Sequence, residues 1–131
     1  MTAFVDTNIV ISHLTQSPPD LGAQATALLR DAKLLLLADL AVAEIVFVLE
    51  RTFKLDRIRI SGILQSLVAQ PNVTVVDRGV ILRALEVYAY RGLHFVEAYL
   101  VASAESTGVG RVASFDRAID RIPTISRIEV V

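Results

Sequence analysis

A chain of 131 residues is long enough to bury one hydrophobic core, and the absence of Cys excludes both a disulfide framework and a thiolate metal site. A formal net charge of −1 excludes the global basic field that announces nucleic acid by composition alone. Hydrophobic residues make up 53% of the chain, above the usual ~45–50%, which suits a well-filled core with apolar surface left for a partner.

Ala3 to Val5 read as a short strand ending at Asp6, and the spacing of apolar residues from Thr7 onward (NIVISHL) is helical. Ser17 is expected to cap a helix with Pro in its first turn, leading into GAQATALLRDA. KLLLLA at 33–38 reads as a fully apolar strand, and Asp39 as the cap of the helix after it. Residues 57–69 form a further helix, after which Pro71 and Asn72 turn the chain into the strand NVTVV. Asp77 caps a helix that runs to about Tyr90 and stops near Gly92. Residues 95–106 are helical, GVG is a turn, and RVASF is a short strand ending just before Asp116. Arg117 to Arg121 add a helical turn, and Ser126 to Val131 a last edge strand.

Strands separated by helices imply a parallel sheet covered on both faces. The expected fold is α/β, a three-layer α/β/α sandwich around a central, mostly parallel sheet of four or five strands, in one domain spanning 1–131. The most apolar region, 34–49, is too short for a comfortable membrane span and carries Asp39 and Glu44. The amino terminus MTAFVDTN lacks the basic start and long apolar stretch of a signal peptide. No membrane partner and a cytoplasmic location are therefore expected.

Glu44 stands out within DLAVAEIVFVL (39–49), which otherwise reads as one buried helix. An isolated ionised carboxylate is costly to bury unless it is paired or protonated. Positions i±3 and i±4 hold Leu40, Ala41, Phe47 and Val48, none of them a cation. The partner is then a distant Arg, a proton, or a metal ion shared with other carboxylates. Two strands end directly in an acid, Asp6 and Asp116, and Glu97 lies in the apolar helix HFVEAYLVA. Ligands in open α/β sheets sit at such carboxyl ends. If the four side chains converge, they cannot all stay ionised without a cation. A hard divalent ion, Mg²⁺ or Mn²⁺, takes oxygen ligands, polarises a phosphoryl oxygen and supplies an activated water, so the reaction class is metal-assisted phosphodiester hydrolysis. Thr7, Asn8 and Ser114 lie beside the strand-end acids, placed to orient a carboxylate or a bound water. Asp120, one turn past Asp116, either joins the site or pairs with a nearby Arg.

FVDTNIV near the start, AVAE some forty residues later, FVEAYLVASA and VASFDRAID together resemble the PIN domain, and within it the VapC-like toxin ribonucleases. The resemblance covers almost the whole chain, with the pieces in order. It implies Mg²⁺- or Mn²⁺-dependent cleavage of RNA, with Asp6, Glu44, Glu97 and Asp116 at the acidic-cluster positions, Ser114 at the usual Ser/Thr and Asn8 at the frequent Asn. It also implies a homodimer and a cognate antitoxin that occludes the site. The family usually has Asp where Glu97 stands, and the extra methylene changes the reach of a ligand to an ion with strict geometry.

With the four acids set aside, ten carboxylates face 13 Lys and Arg residues, a mildly basic remainder. Arg51, Lys54, Arg57 and Arg59 in RTFKLDRIR, and Arg117 beside Asp116, are candidates to bind RNA backbone phosphates; a solvated helix face is the plainer reading of 51–59. His13 and His94 lack zinc-ligand spacing, and neither G-x-S-x-G nor a P-loop occurs. A phosphoacceptor domain would need a Lys late in the chain, whereas the last one is Lys54. The remaining alternatives are an RNA-processing or structure-specific nuclease of the same superfamily, and a binding module in which Glu97 spoils the metal site.

Overall fold

Residues 1–130 are described by the computed structural model; Val131, the end of the expected last strand, lies outside the described residues. Five short strands form two parallel ladders rather than one continuous ladder. The chain divides into two compact units, one made of Met1–Leu55 and Ser66–Val76, the other of Asp56–Gln65 and the residues from Asp77 onward.

In the first unit, β1 (Thr2–Phe4), β2 (Leu34–Leu36) and β3 (Val73–Thr74) pair in parallel in that order. Ala3 lies opposite Leu35, and Leu35 opposite Val73. Two helices, α1 (Thr7–Thr15) and α2 (Pro19–Asp31), make the crossover from β1 to β2. Parallel strands need such a crossover, and burial of the strands explains the unbroken run KLLLL. Helix α3 (Asp39–Arg51) follows β2 and buries Val42, Ile45, Val46 and Leu49 on one face. Asn72 ties β3 to the end of α2, its Nδ2 donating to the carbonyls of Leu29 (2.6 Å) and Ala32 (3.1 Å).

Two caps differ from expectation by one position. Pro18 rather than Ser17 occupies the N-cap of α2, and Ala38 rather than Asp39 that of α3, so Asp39 lies inside the first turn. An acid there still complements the positive end of the helix dipole.

Helix α4 (Arg57–Val68) starts in the second unit and ends in the first. The second unit continues with α5 (Arg78–Arg91), α6 (Phe95–Thr107), β4 (Arg111–Ala113), a 3-10 turn at Arg117–Arg121 and β5 (Ser126–Ile128), which pairs in parallel with β4. Asp77 caps α5 as its side chain predicts, accepting from the Val80 amide at 3.1 Å. Helices α5 and α6 pack around Leu85, Tyr88, Phe95, Ala98 and Val101, all buried. Arg83 on α5 grips Glu105 on α6 through two bonds of 2.9 and 3.0 Å, and Thr124 donates to the same carboxylate. The α/β class with parallel strands is thus as expected, the five strands being divided three and two.

Candidate active site

Asp6 follows β1 at the carboxyl edge of the three-stranded ladder. Its backbone is extended (φ −77°, ψ 147°) and occupies the N-cap of α1, where a carboxylate usually accepts from the first-turn amides. Here it makes no capping bond to the described residues, so the exposed carboxylate is not used as a cap. Asn8 is exposed in the first turn of α1, while Thr7 is only 3% exposed. The Thr7 hydroxyl donates to Glu44 Oε2 at 3.4 Å, joining the turn after β1 to the second turn of α3.

Glu44 is exposed, which corrects the reading of it as a carboxylate in a buried helix. The helical period turns it to the face opposite Val42, Ile45, Val46 and Leu49, in line with exposed Leu40 (84%) and Phe47 (54%). The apolar run hides this face because Leu40 and Phe47 belong to it. Glu44 therefore needs no buried counter-charge.

In the second unit, Glu97 lies in the first turn of α6, half-buried between buried Phe95 and Ala98 and exposed Val96 and Leu100. The dry surroundings expected of it are thus present on one side only. Asp116 follows β4 and caps the 3-10 turn, Oδ1 accepting from the Ala118 amide at 2.9 Å. Its own amide donates to Ser114 Oγ at 3.0 Å, so Ser114 fixes the backbone of the acid. Asp120 pairs with Arg127 through two bonds, Nε to Oδ1 at 3.0 Å and Nη2 to Oδ2 at 3.1 Å. The Arg127 fork, with a smaller contribution from Arg117, holds the Asp120 carboxyl below the usual carboxylate range. Arg127 also donates to the Ser114 carbonyl at 3.1 Å. This residue had no local signal in sequence, being a single Arg in a short strand.

The basic stretch is not one helix face. It spans the end of α3, a turn in which Lys54 has φ 56°, and the start of α4. Arg51, Lys54 and Arg59 are exposed, Arg51 lying 4.4 Å from the centroid of the Phe47 ring. Half-buried Arg57 is engaged within the fold: Nη1 donates to the carbonyls of Tyr88 (3.0 Å) and Leu93, and the guanidinium lies 4.6 Å from the Tyr88 ring centroid. Arg117 is exposed at the start of the 3-10 turn.

Among the described residues no group of three or more His, Asp or Glu stands ready to hold a metal ion, so fit to a cation is judged on the donors themselves. They are carboxylate oxygens with hydroxyl support and no Cys, a donor set that suits a hard divalent ion. No helix among the described residues is long and apolar enough to cross a membrane.

Parallel strands joined by helices, with acids following β1 and β4, are consistent with a nucleic-acid hydrolase. The model of the PIN domain matches residues 3–125, and the chain belongs to the PIN domain family. PIN domains are generally nucleases that use divalent metals. A solved structure with detectable similarity is VapBC2 from Rickettsia felis bound to a DNA fragment from its promoter, at 12% identity and a TM-score of 0.40, covering 98% of each chain. No curated protein matches the chain.

Proposed function

We propose that this chain is a metal-dependent endoribonuclease, a single PIN domain acting in the cytoplasm as the toxin of a toxin–antitoxin pair. Family membership over residues 3–125 carries the nuclease reading, and the Asp6 carboxylate left out of helix capping supports a ligand role for it.

Asp6, Glu44, Glu97 and Asp116 would hold Mg²⁺ or Mn²⁺, and Asp120 has its carboxylate engaged by Arg127. When bound, such an ion polarises a phosphoryl oxygen and activates a water. The protein's own groups do the positioning. Thr7 holds Glu44 Oε2, leaving Oε1 to orient or deprotonate a water; Asn8 lies beside Asp6; Ser114 fixes the amide of Asp116. Exposed Arg51, Lys54, Arg59 and Arg117 are suited to RNA backbone phosphates, which attract cationic side chains without regard to sequence. Leu40 and Phe47, exposed on the Glu44 face of α3, support a protein partner that covers this face, the cognate antitoxin, with a homodimer as the assembled toxin.

A second reading, a PIN-like binding module without catalysis, is favoured by Glu97 in place of Asp and by the absence of a ready acidic group of three among the described residues. The test is cleavage of labelled cellular RNA in Mn²⁺, Mg²⁺ and EDTA, with Asp6→Asn purified in parallel. Cleavage that requires metal and vanishes in the variant is the expected result. No cleavage, together with no Mn²⁺ binding by calorimetry, would favour the second reading.

A further inference from the structure

The segment from Ser114 to Asp120 carries Asp116 and is held at both ends by one side chain. Arg127 projects from β5, which pairs with β4 so that Val112 lies opposite Arg127. From there Nη1 reaches the Ser114 carbonyl at 3.1 Å, at the start of the segment. Nε and Nη2 engage both Asp120 oxygens, at 3.0 and 3.1 Å, at its end. The Arg127 side chain is only 9% exposed, whereas Asp120 is 54% exposed. A planar guanidinium is suited to this task because its donors leave in fixed directions, and an ammonium has no equivalent fork. Asp116 lies between the two grips, and its own bonds, to Ser114 Oγ and from Ala118, are both made within the held segment.

We infer that Arg127 is a positioning residue for the nuclease site: by clamping the Ser114 carbonyl and the Asp120 carboxylate it fixes the segment from which Asp116 is presented to a divalent cation. This rests on the function proposed above. The clamp acts by geometry, and its charge works the other way. A permanent cation close enough to interact with Asp116 disfavours a second cation there, so removal of the charge alone would tighten metal binding.

Arg127→Lys and Arg127→Gln separate the two effects. Mn²⁺ is titrated into the full chain by calorimetry, and amide exchange at Asp116 and Ala118 is followed by NMR with the α5 and α6 amides as the internal reference. Both variants are expected to bind Mn²⁺ roughly 10- to 100-fold more weakly, the usual loss on removing a group that orients a ligand. Their Asp116 and Ala118 amides are expected to exchange faster while the helix amides do not change. Wild-type Mn²⁺ affinity in both variants would overturn the inference and leave the nuclease reading intact. So would an Arg127→Lys variant like wild type beside an Arg127→Gln variant that binds more tightly, which is the signature of charge alone. A wild-type protein that binds no Mn²⁺ would overturn the functional reading and this inference with it. Uniformly faster exchange in every helix would mean that Arg127 only holds the fold together, and would also overturn it.

Discussion

Thr7 Oγ1 donates to Glu44 Oε2 at 3.4 Å, a contact between residues 37 positions apart that joins the turn after β1 to α3. At that length the bond contributes little to stability, about 0.5 kcal/mol, the lower end for a neutral donor. Its value is orientational. Thr7→Val keeps the shape and removes the donor, and is expected to leave the thermal midpoint within a few degrees of wild type. The variant should lose roughly 10-fold in metal-supported cleavage, by analogy with other groups that orient a ligand. Parallel measurement of kcat/KM and of melting by circular dichroism checks both halves.

Arg57 is expected to behave as a structural residue although it lies in the basic stretch. Arg57→Gln takes donors from the Tyr88 and Leu93 carbonyls and a cation from the Tyr88 ring. The expected cost is about 2 kcal/mol, since orphaned backbone acceptors cost ~1–3 kcal/mol. Exposed Arg59 should show the reverse, with unchanged stability and a slope of log K against log salt for RNA binding lowered by about 0.7. Urea unfolding and binding titrations at several salt concentrations would separate the two residues.

Glu105 links stability to pH. Its carboxyl is held below the usual carboxylate range, chiefly by the bonds from Arg83 and also by Thr124. A folded-state pKa below the unfolded value stabilises the protein above the unfolded value, about 4.3. That contribution falls away as pH drops through the folded value. The stability gap between wild type and Glu105→Gln should therefore be largest near neutral pH and shrink steadily below about pH 4.5, as denaturant midpoints across that range would show.

Replacing Gly92 with Ala meets two obstacles. Gly92 ends α5 with φ at +74°, and a Cβ built there would lie 2.6 Å from Arg121 Nη1. The left-handed conformation alone costs an L-residue about 1–2 kcal/mol. Arg121 would also have to release the Arg91 carbonyl, which it reaches at 3.2 Å. In an Arg121→Ala background only the conformational cost should remain, so the double variant should lose less than the sum of the singles.

Glu97→Asp shortens the side chain to the one usual in the family. Because Mg²⁺ demands stricter coordination geometry than ions with more flexible shells, the variant is expected to gain more activity in Mg²⁺ than in Mn²⁺. Cleavage rates in the two metals, compared with wild type, decide it; an equal change in both would place Glu97 outside the ligand set.

The helices and their order were legible in sequence because their signals are local: an Asp at the α5 N-cap, a Gly at its end, and 3.6-residue spacing between them. The strands were legible as elements, but their division into ladders of three and two was not, since pairing depends on contacts between distant segments. Glu44 was misread as buried because Leu40 and Phe47 are apolar yet exposed, which masks the solvent face of α3. Asp120 left two outcomes open, and its ion pair with Arg127 is the one observed. Arg127 itself was invisible because a clamp between β5 and the segment after β4 leaves no spacing rule in the chain.

At Gly22, in the first half of α2, a Cβ would come within 2.6 Å of the Gln16 Cα atom and 2.8 Å of its Oε1. Side-chain obstruction can be relieved by a smaller neighbour, but obstruction by main chain cannot. No substitution at position 16 would therefore accommodate a larger residue at position 22. Second-site suppressors of a Gly22 variant are expected instead as insertions or deletions in the connection between α1 and α2, where altered length lets the two backbones separate. The pair thus forms a ratchet in sequence space, open to changes of loop length and closed to changes of side chain.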